Sequence, residues 1–123
     1  KYQPIGWFLH GKRKRILRMS WIYLVLAGFC EIGWPIGLKL ASGKSPYLWT
    51  LFAITAMALS GYLLYLAQQS IPMGTAYAIW TGIGAVGAFI VGIIWFKDPA
   101  TLFRIISVSL IIFGIIGLKL SAH

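Results

Sequence analysis

Four long apolar stretches, separated by short polar joints, constrain this chain more than any other feature of its sequence. They cover residues 21–40, 48–67, 75–96 and 102–120. Each is close to the roughly 20 residues that an α-helix needs to cross a hydrocarbon core about 30 Å thick. Backbone N–H and C=O groups in lipid must be paired within the segment, so these stretches predict helices. The sequence therefore predicts an all-α integral membrane protein with four transmembrane helices per chain.

The charge content agrees with a lipid environment. Charged residues make up 11% of the chain and only two residues are acidic, whereas a soluble domain carries about 25% charged residues. Six of the eleven basic residues lie within residues 1–18. A nucleic-acid-binding protein would instead spread basic residues over a folded surface, so nucleic acid is excluded as a partner. We expect the basic residues of 11–18 to meet anionic membrane lipids.

The chain divides into a basic N-terminal extension, residues 1–18, and a four-helix transmembrane domain, residues 19–123. Orientation signals within it conflict. The joints after the first and third stretches carry or flank four basic residues, while the other side of the domain has only one: Lys39, Lys44, Lys97 and Arg104 against Lys119. The positive-inside rule places those joints in the cytoplasm, but residues 1–18 draw the N-terminus there instead. Such a balance is compatible with insertion in both orientations.

Glu31 is the residue most indicative of function. It lies about ten residues into the first stretch, near the middle of the bilayer, where an acid costs about 2.5 kcal/mol or more and usually marks an ion pathway. The alternative is a structural carboxylate hydrogen-bonded between helices. A carboxylate that binds either a proton or a cation makes the two compete, which is the minimum that an antiporter needs. No second catalytic group accompanies Glu31, so we predict that the chain is not an enzyme.

Two neighbours of Glu31 are set by helix geometry. Trp34 follows three residues later and shares its face of the helix. Pro35 follows four residues later and has no N–H to bond the Glu31 carbonyl, which predicts a kink and a free carbonyl beside the carboxylate. That carbonyl is either an extra acceptor for a cation or is satisfied again by neighbouring helices.

Three further polar side chains are candidates for the same site. Tyr77 and Trp80 lie on one stripe of the third stretch, and their O–H and N–H groups need partners, so we expect them to face a cavity with Glu31. The alternative is that both rings serve only to pack against neighbouring helices. Ser60, midway along the second stretch, is a candidate hydrogen-bond partner. No metal-ligand spacing appears, since His10 and His123 are isolated, and we predict neither metal nor cofactor.

Small residues predict close helix packing. Gly84, Ala88 and Gly92 follow the small-xxx-small spacing, and we expect Gly114 and Gly117 to serve the same purpose in the fourth helix. The Gly82-x-Gly-x-x-Gly87 pattern does not indicate a dinucleotide site, because no strand precedes it.

Four short helices cannot readily enclose a pathway, and one carboxylate per chain leaves half a site. We therefore expect a dimer, whose antiparallel form would reproduce the inverted repeats of many transporters.

With these residues assembled, the chain resembles the small multidrug resistance family, and specifically its guanidinium-exporter subtype. The resemblance covers residues 19–123. It is carried by Glu31-Ile-Gly-Trp34, by the run from Pro72-Met-Gly-Thr through Trp80 to Gly87, and by Gly114-Ile-Ile-Gly-Leu-Lys119. The tryptophan three residues after the acid distinguishes this subtype from exporters of polyaromatic drugs.

The resemblance implies an antiparallel, dual-topology homodimer in the bacterial inner membrane. It would exchange protons for guanidinium and small guanidinyl or quaternary ammonium cations. Glu31 would be the shared proton and substrate site, Trp34 and Ser60 would hold the carboxylates by hydrogen bonds, and Tyr77 and Trp80 would line and gate the cavity. Planar guanidinium presents its N–H donors in a fork that suits paired carboxylates.

Two features depart from the family pattern. Pro35 stands where a small helix-forming residue is usual, which affects the geometry after Glu31. Residues 1–18 precede Met19-Ser-Trp21, which resembles a native start, so the extension is either sequence added upstream of that start or a lipid-binding arm. Two other functions stay open: an exporter of bulkier aromatic cations, disfavoured because Trp34 narrows the site, and a non-transporting or heteromeric subunit that needs a partner homologue.

Overall fold

The computed structural model describes the backbone of residues 4–121 and the side chains of residues 11–121. Its four α-helices, in chain order, are α1 (Pro4–Leu40), α2 (Pro46–Ala67), α3 (Met73–Phe96) and α4 (Leu102–Ser121). Each is long and apolar enough to cross a membrane, which in α1 applies to Gly11–Leu40. The predicted four-helix membrane architecture is confirmed. The side chains of His10 and His123 lie outside the described residues, and those described contain no cluster of potential metal ligands.

The helix ends follow the positions of proline and of the polar joints. α2 begins at Pro46, because the first helical turn needs no N–H from that residue. α3 ends at Phe96, where Lys97 adopts a left-handed conformation with φ 58° and the Asp98 N–H bonds the Gly92 carbonyl at 2.9 Å.

α1 begins well before the apolar stretch and remains helical through Pro35. Its extra N-terminal turns contain the basic residues 12–15, and Lys and Arg are good helix formers.

α1 is the central helix of the bundle. It packs against both α2 and α3, whereas α4 packs mainly against α3. A small core of Leu24, Ala67, Ile71, Ala76 and Ile79 joins the first three helices at one end. No residue of α4 is buried. The enclosed part of the chain is therefore the space between α1, α2 and α3.

Glycines permit the close approach of these helices. A Cβ added at Gly28 of α1 would lie 2.7 Å from Ile83 of α3, and one at Gly82 would lie 2.8 Å from Ile115 of α4. Gly87 is packed still more tightly against Ile32. These three contacts involve positions that the small-xxx-small spacing did not single out.

The glycines that the sequence did single out behave differently from one another. Gly84 is buried in the α1–α3 contact, but Gly92 is closed by the side chain of Asp98 rather than by another helix. Ala88 is half-buried beside α1. A Cβ at Gly114 or Gly117 would meet nothing within 4 Å, so neither is a helix contact within the described chain. The physical reason is that α4 has a neighbour on one side only.

Candidate functional site

Ser60 stands at the centre of the polar contacts between the first three helices. Its side chain is fully buried. The Trp80 indole Nε1–H of α3 donates to the Ser60 hydroxyl at 2.7 Å. On the α1 side, Ser60 Oγ lies 2.8 Å from the Ala27 carbonyl and 3.3 Å from Glu31 Oε1. A serine hydroxyl has one hydrogen and two lone pairs. Ser60 therefore accepts from Trp80 and donates to one of the two oxygens of α1 at a time.

Ala27 lies one helical turn before Glu31, and this spacing puts both acceptors on the same face of α1. The Ala27 carbonyl is buried with its residue, whereas the Glu31 side chain is half-buried. Ser60 thus contacts the backbone of the turn that carries Glu31 as well as the carboxylate itself. This arrangement fixes the position of α1 relative to α2 where the acid projects.

Gly84 of α3 makes room for Glu31 on the opposite side. A Cβ added at Gly84 would lie 2.6 Å from Glu31 Cγ and 3.2 Å from Glu31 Cβ. The atoms concerned belong to the stem of the side chain, which cannot move aside as freely as its end. The absence of a side chain at Gly84 therefore sets where the carboxylate of Glu31 can lie between α1 and α3.

The two aromatic candidates of α3 differ in exposure. Trp80 is half-buried and is tied to Ser60. Tyr77 is 54% exposed, with its ring centroid 5.4 Å from that of Trp80. The Thr81 hydroxyl, on the same face of α3, donates a hydrogen bond to the Tyr77 carbonyl at 2.8 Å. Trp80 therefore belongs to the polar contacts around Glu31, while Tyr77 reaches them only through the Trp80 ring.

Trp34 is half-buried on α1. Among the described side-chain hydrogen bonds, Ser60 contacts the Glu31 carboxylate and Trp34 does not. Within one chain, the structure thus brings together Glu31, Ser60 and Trp80, with Tyr77 adjoining them. The expected hydrogen bond from Trp34 concerns the paired carboxylates of a dimer and stays a prediction.

Two contributions were missed by sequence reasoning. The Ala27 carbonyl could have been considered from its i−4 spacing to Glu31. The contact between Gly84 and Glu31 had no local signal, because it depends on how α1 and α3 are rotated against each other.

Chemically, the site has one acid and neutral hydrogen-bonding groups. The chain's only other acid, Asp98, is exposed after the end of α3. A carboxylate among neutral groups in an apolar bundle can bind a proton or a small cation. Together, the fold and the site define a small four-helix membrane protein with one carboxylate inside its bundle.

Comparison with known proteins agrees with this class. Residues 19–111 match the sequence model described as Small Multidrug Resistance protein. The chain is 53% identical over 105 residues to a protein of Salmonella typhimurium named guanidinium exporter, an alignment that covers 85% of this chain and 100% of the relative. Proteins of the same name from Escherichia coli K12 and Yersinia pseudotuberculosis are each 52% identical, with the same shares covered. The chain belongs to the small multidrug resistance family.

Proposed function

We propose that this protein is a multi-pass transporter of the bacterial inner membrane that exports guanidinium and small guanidinyl or quaternary ammonium cations in exchange for protons. The single observation that carries the proposal is the position of Glu31. It is the one acid within the four helices, and it lies in contact with the hydroxyl of Ser60. The relatives named guanidinium exporter support the choice of cation.

Proton and cation use the same carboxylate. When Glu31 is ionised, it attracts a cation into a bundle that has no other negative charge. When it is protonated, that attraction is lost and the cation is released. The two ligands cannot occupy one carboxylate together, so binding of one excludes the other, which is the minimum that exchange requires.

Guanidinium suits this site because its N–H donors are planar and arranged as a fork, which matches carboxylate oxygens in a charge-assisted, bidentate contact. Ser60 and Trp80 keep the carboxylate in position. Trp34 and Tyr77 are proposed to complete the cavity, Trp34 by a hydrogen bond to a carboxylate and Tyr77 as part of its entrance.

The working unit is proposed to be an antiparallel homodimer. Several observations in the single chain favour a partner: Glu31 is only half-buried, Tyr77 is exposed, and α4 has no buried residue. A second copy in the opposite orientation supplies a second Glu31 and creates the inverted arrangement that alternating access uses in many transporters. The outward-open and inward-open states are then related by exchange of the two chains' roles.

The test is guanidinium-evoked current in proteoliposomes that contain only this chain. Glu31→Gln should abolish the current, because it removes the charge and keeps the shape. Asp98→Asn is the matched control: it removes the other acid and should leave the current in place. Tetramethylammonium and a bulky polyaromatic cation should be tested in parallel.

Each outcome separates the candidate functions. Current in the wild type and in Asp98→Asn, lost in Glu31→Gln, supports the exporter. A folded wild type that carries only the polyaromatic cation would reassign the substrate. No current with any cation would contradict a transporter that acts as a homodimer and favour a subunit that requires a partner homologue.

A further inference from the structure

A second feature of the molecule lies at the end of the bundle where the apolar part of α1 begins and α4 finishes. There an open groove of about 580 Å³ is lined by Arg18, Trp21, Ile22, Val25, Leu26 and Lys119. The two cations stand at its rim and the other residues form an apolar wall. The groove is open at its side, since Ile22, Val25 and Leu26 are 52%, 40% and 46% exposed.

The wall is a regular stripe along one helix. Counted from Arg18, the other four residues of α1 that line the groove follow at three, four, seven and eight positions, which is the pattern of one helical face. The groove therefore runs along α1 for about 12 Å from Arg18 to Leu26, at 1.5 Å per residue. Trp21 is placed as expected for an aromatic residue at the interface between headgroups and hydrocarbon. The end of the groove at Arg18 is charged, and the end at Leu26 is apolar.

Lys119 brings the second charge to this end from α4. Its Nζ lies 4.6 Å from the centre of the Trp21 ring. Both acids of the chain are distant from Arg18 and Lys119. Asp98 is in the joint between α3 and α4, at the other end of the bundle. Glu31 is about 20 Å beyond Arg18 along α1. The positive charge at the rim is therefore not neutralised by an acidic side chain of the described protein.

We propose that this groove binds one anionic phospholipid, with the phosphate held between Arg18 and Lys119 and the beginning of an acyl chain lying on Ile22, Val25 and Leu26. The charge complementarity requires an anion, and the apolar wall at membrane depth requires a hydrocarbon chain, so a free phosphate ion does not fit both parts. Arg18 lies just before the residues that match the family. The proposed lipid site does not rest on the proposed transport activity.

The experiment is native mass spectrometry of the purified full chain in detergent, titrated with phosphatidylglycerol or phosphatidylcholine of identical acyl chains. We expect the first to bind more tightly. The double variant Arg18→Gln/Lys119→Gln should weaken phosphatidylglycerol binding by about 25-fold, since each Lys or Arg near an anionic lipid surface contributes about 1 kcal/mol. The matched control is Lys97→Gln/Arg104→Gln, which removes one lysine and one arginine at the other end and should change little.

A second variant, Val25→Trp, keeps both charges and fills the groove. It should also weaken phosphatidylglycerol binding, and glycerol phosphate should fail to compete. Equal binding of the two lipids, or equal effects of the two double variants, would overturn the proposal. A variant with residues 12–15 neutralised is a further control. If only that variant weakens phosphatidylglycerol binding, the charge effect is diffuse and the proposal is overturned. Loss of the dimer in Val25→Trp with unchanged lipid binding would assign the groove to a second copy of the chain instead.

Discussion

The Trp80 indole N–H donates to the Ser60 hydroxyl at 2.7 Å, and this contact leaves the one hydroxyl hydrogen of Ser60 for acceptors on α1. Two such acceptors are within reach, the Ala27 carbonyl at 2.8 Å and Glu31 Oε1 at 3.3 Å. The hydroxyl can turn from the carbonyl to the carboxylate without breaking its bond from Trp80. We infer that Ser60 adjusts to the charge on Glu31 while it continues to join the three helices.

Ser60→Ala should therefore weaken both the bundle and the site. It removes the acceptor of Trp80 and the donor to α1, and a hydrogen bond between membrane helices contributes about 1 kcal/mol. We expect a loss of about 1–2 kcal/mol of stability in detergent and weaker guanidinium binding. Ser109→Ala is the matched control, because the Ser109 hydroxyl bonds only the Ile105 carbonyl of its own helix. Equal melting temperatures of the two variants would contradict the role given to Ser60.

Trp80→Phe tests the same contact from its other side. The variant keeps an aromatic ring but loses the N–H, and Ser60 can still donate to Ala27 or Glu31. We expect it to be less destabilising than Ser60→Ala, which leaves an indole N–H without its acceptor. In a double-mutant cycle, the combined variant should be more stable than the sum of the two losses predicts, by about 1 kcal/mol. Strict additivity in thermal or chemical unfolding would show that the two side chains are not coupled.

Gly84→Ala should displace Glu31, since the new Cβ would lie 2.6 Å from Glu31 Cγ. We expect guanidinium binding to fall markedly while the four helices are retained. Gly61→Ala is the control on α2, where a Cβ meets nothing within 4 Å. Replacing this mid-helix glycine by alanine should stabilise the helix by about 0.5–1 kcal/mol. Binding isotherms of the two variants in detergent provide the measurement. Wild-type affinity in Gly84→Ala would mean that the carboxylate position does not depend on this contact.

The proposed competition also determines how binding depends on pH. A proton on Glu31 removes the charge that attracts the cation, so guanidinium affinity should fall as pH falls. The slope of the dissociation constant against pH reports how many protons each bound cation displaces. Asp98→Asn should keep this slope. Calorimetric titrations at a series of pH values would detect it, and a Glu31-dependent affinity that does not change with pH would rule out competition.

The number and approximate limits of the helices were predictable, because each apolar stretch is long enough to span lipid and is bounded by proline or polar joints. The placing of Ser60 and Trp80 among polar contacts near Glu31 was also anticipated in outline, since buried polar groups need partners. The start of α1 at Pro4 was missed, because charge and apolar length mark a membrane span but not the end of a helix.

The contacts of Gly84 with Glu31 and of Gly87 with Ile32 were beyond the sequence argument. Helices α2 and α3 are apolar on nearly every side, so no periodic pattern shows which face meets α1. Rotation of these helices is set by the fit of individual side chains against glycines, such as Ile83 against Gly28. The partner of the Trp34 indole N–H is open to sequence reasoning for a related reason: its place on the Glu31 face is fixed by spacing, but the direction of the N–H is not.

Gly114 and Gly117 provide the test of the proposed dimer. In the single chain, a Cβ at either position meets nothing within 4 Å, and no residue of α4 is buried. Substitution there should not disturb the fold of one chain. If the same face lies against α4 of a second copy, small residues are what allow the two helices to approach. Gly114→Leu should then raise the dimer dissociation constant by about tenfold or more, with helix content unchanged.

The matched comparison is Gly82→Leu, because a Cβ at Gly82 would already lie 2.8 Å from Ile115 within the chain. That variant should lose stability as a monomer, whereas Gly114→Leu should lose only association and, with it, guanidinium current. Single-molecule fluorescence of labelled chains in liposomes measures association, and thermal unfolding in detergent measures the fold. A Gly114→Leu chain that still associates like the wild type would show that this face of α4 meets lipid, and the partner contact would have to lie elsewhere on the molecule.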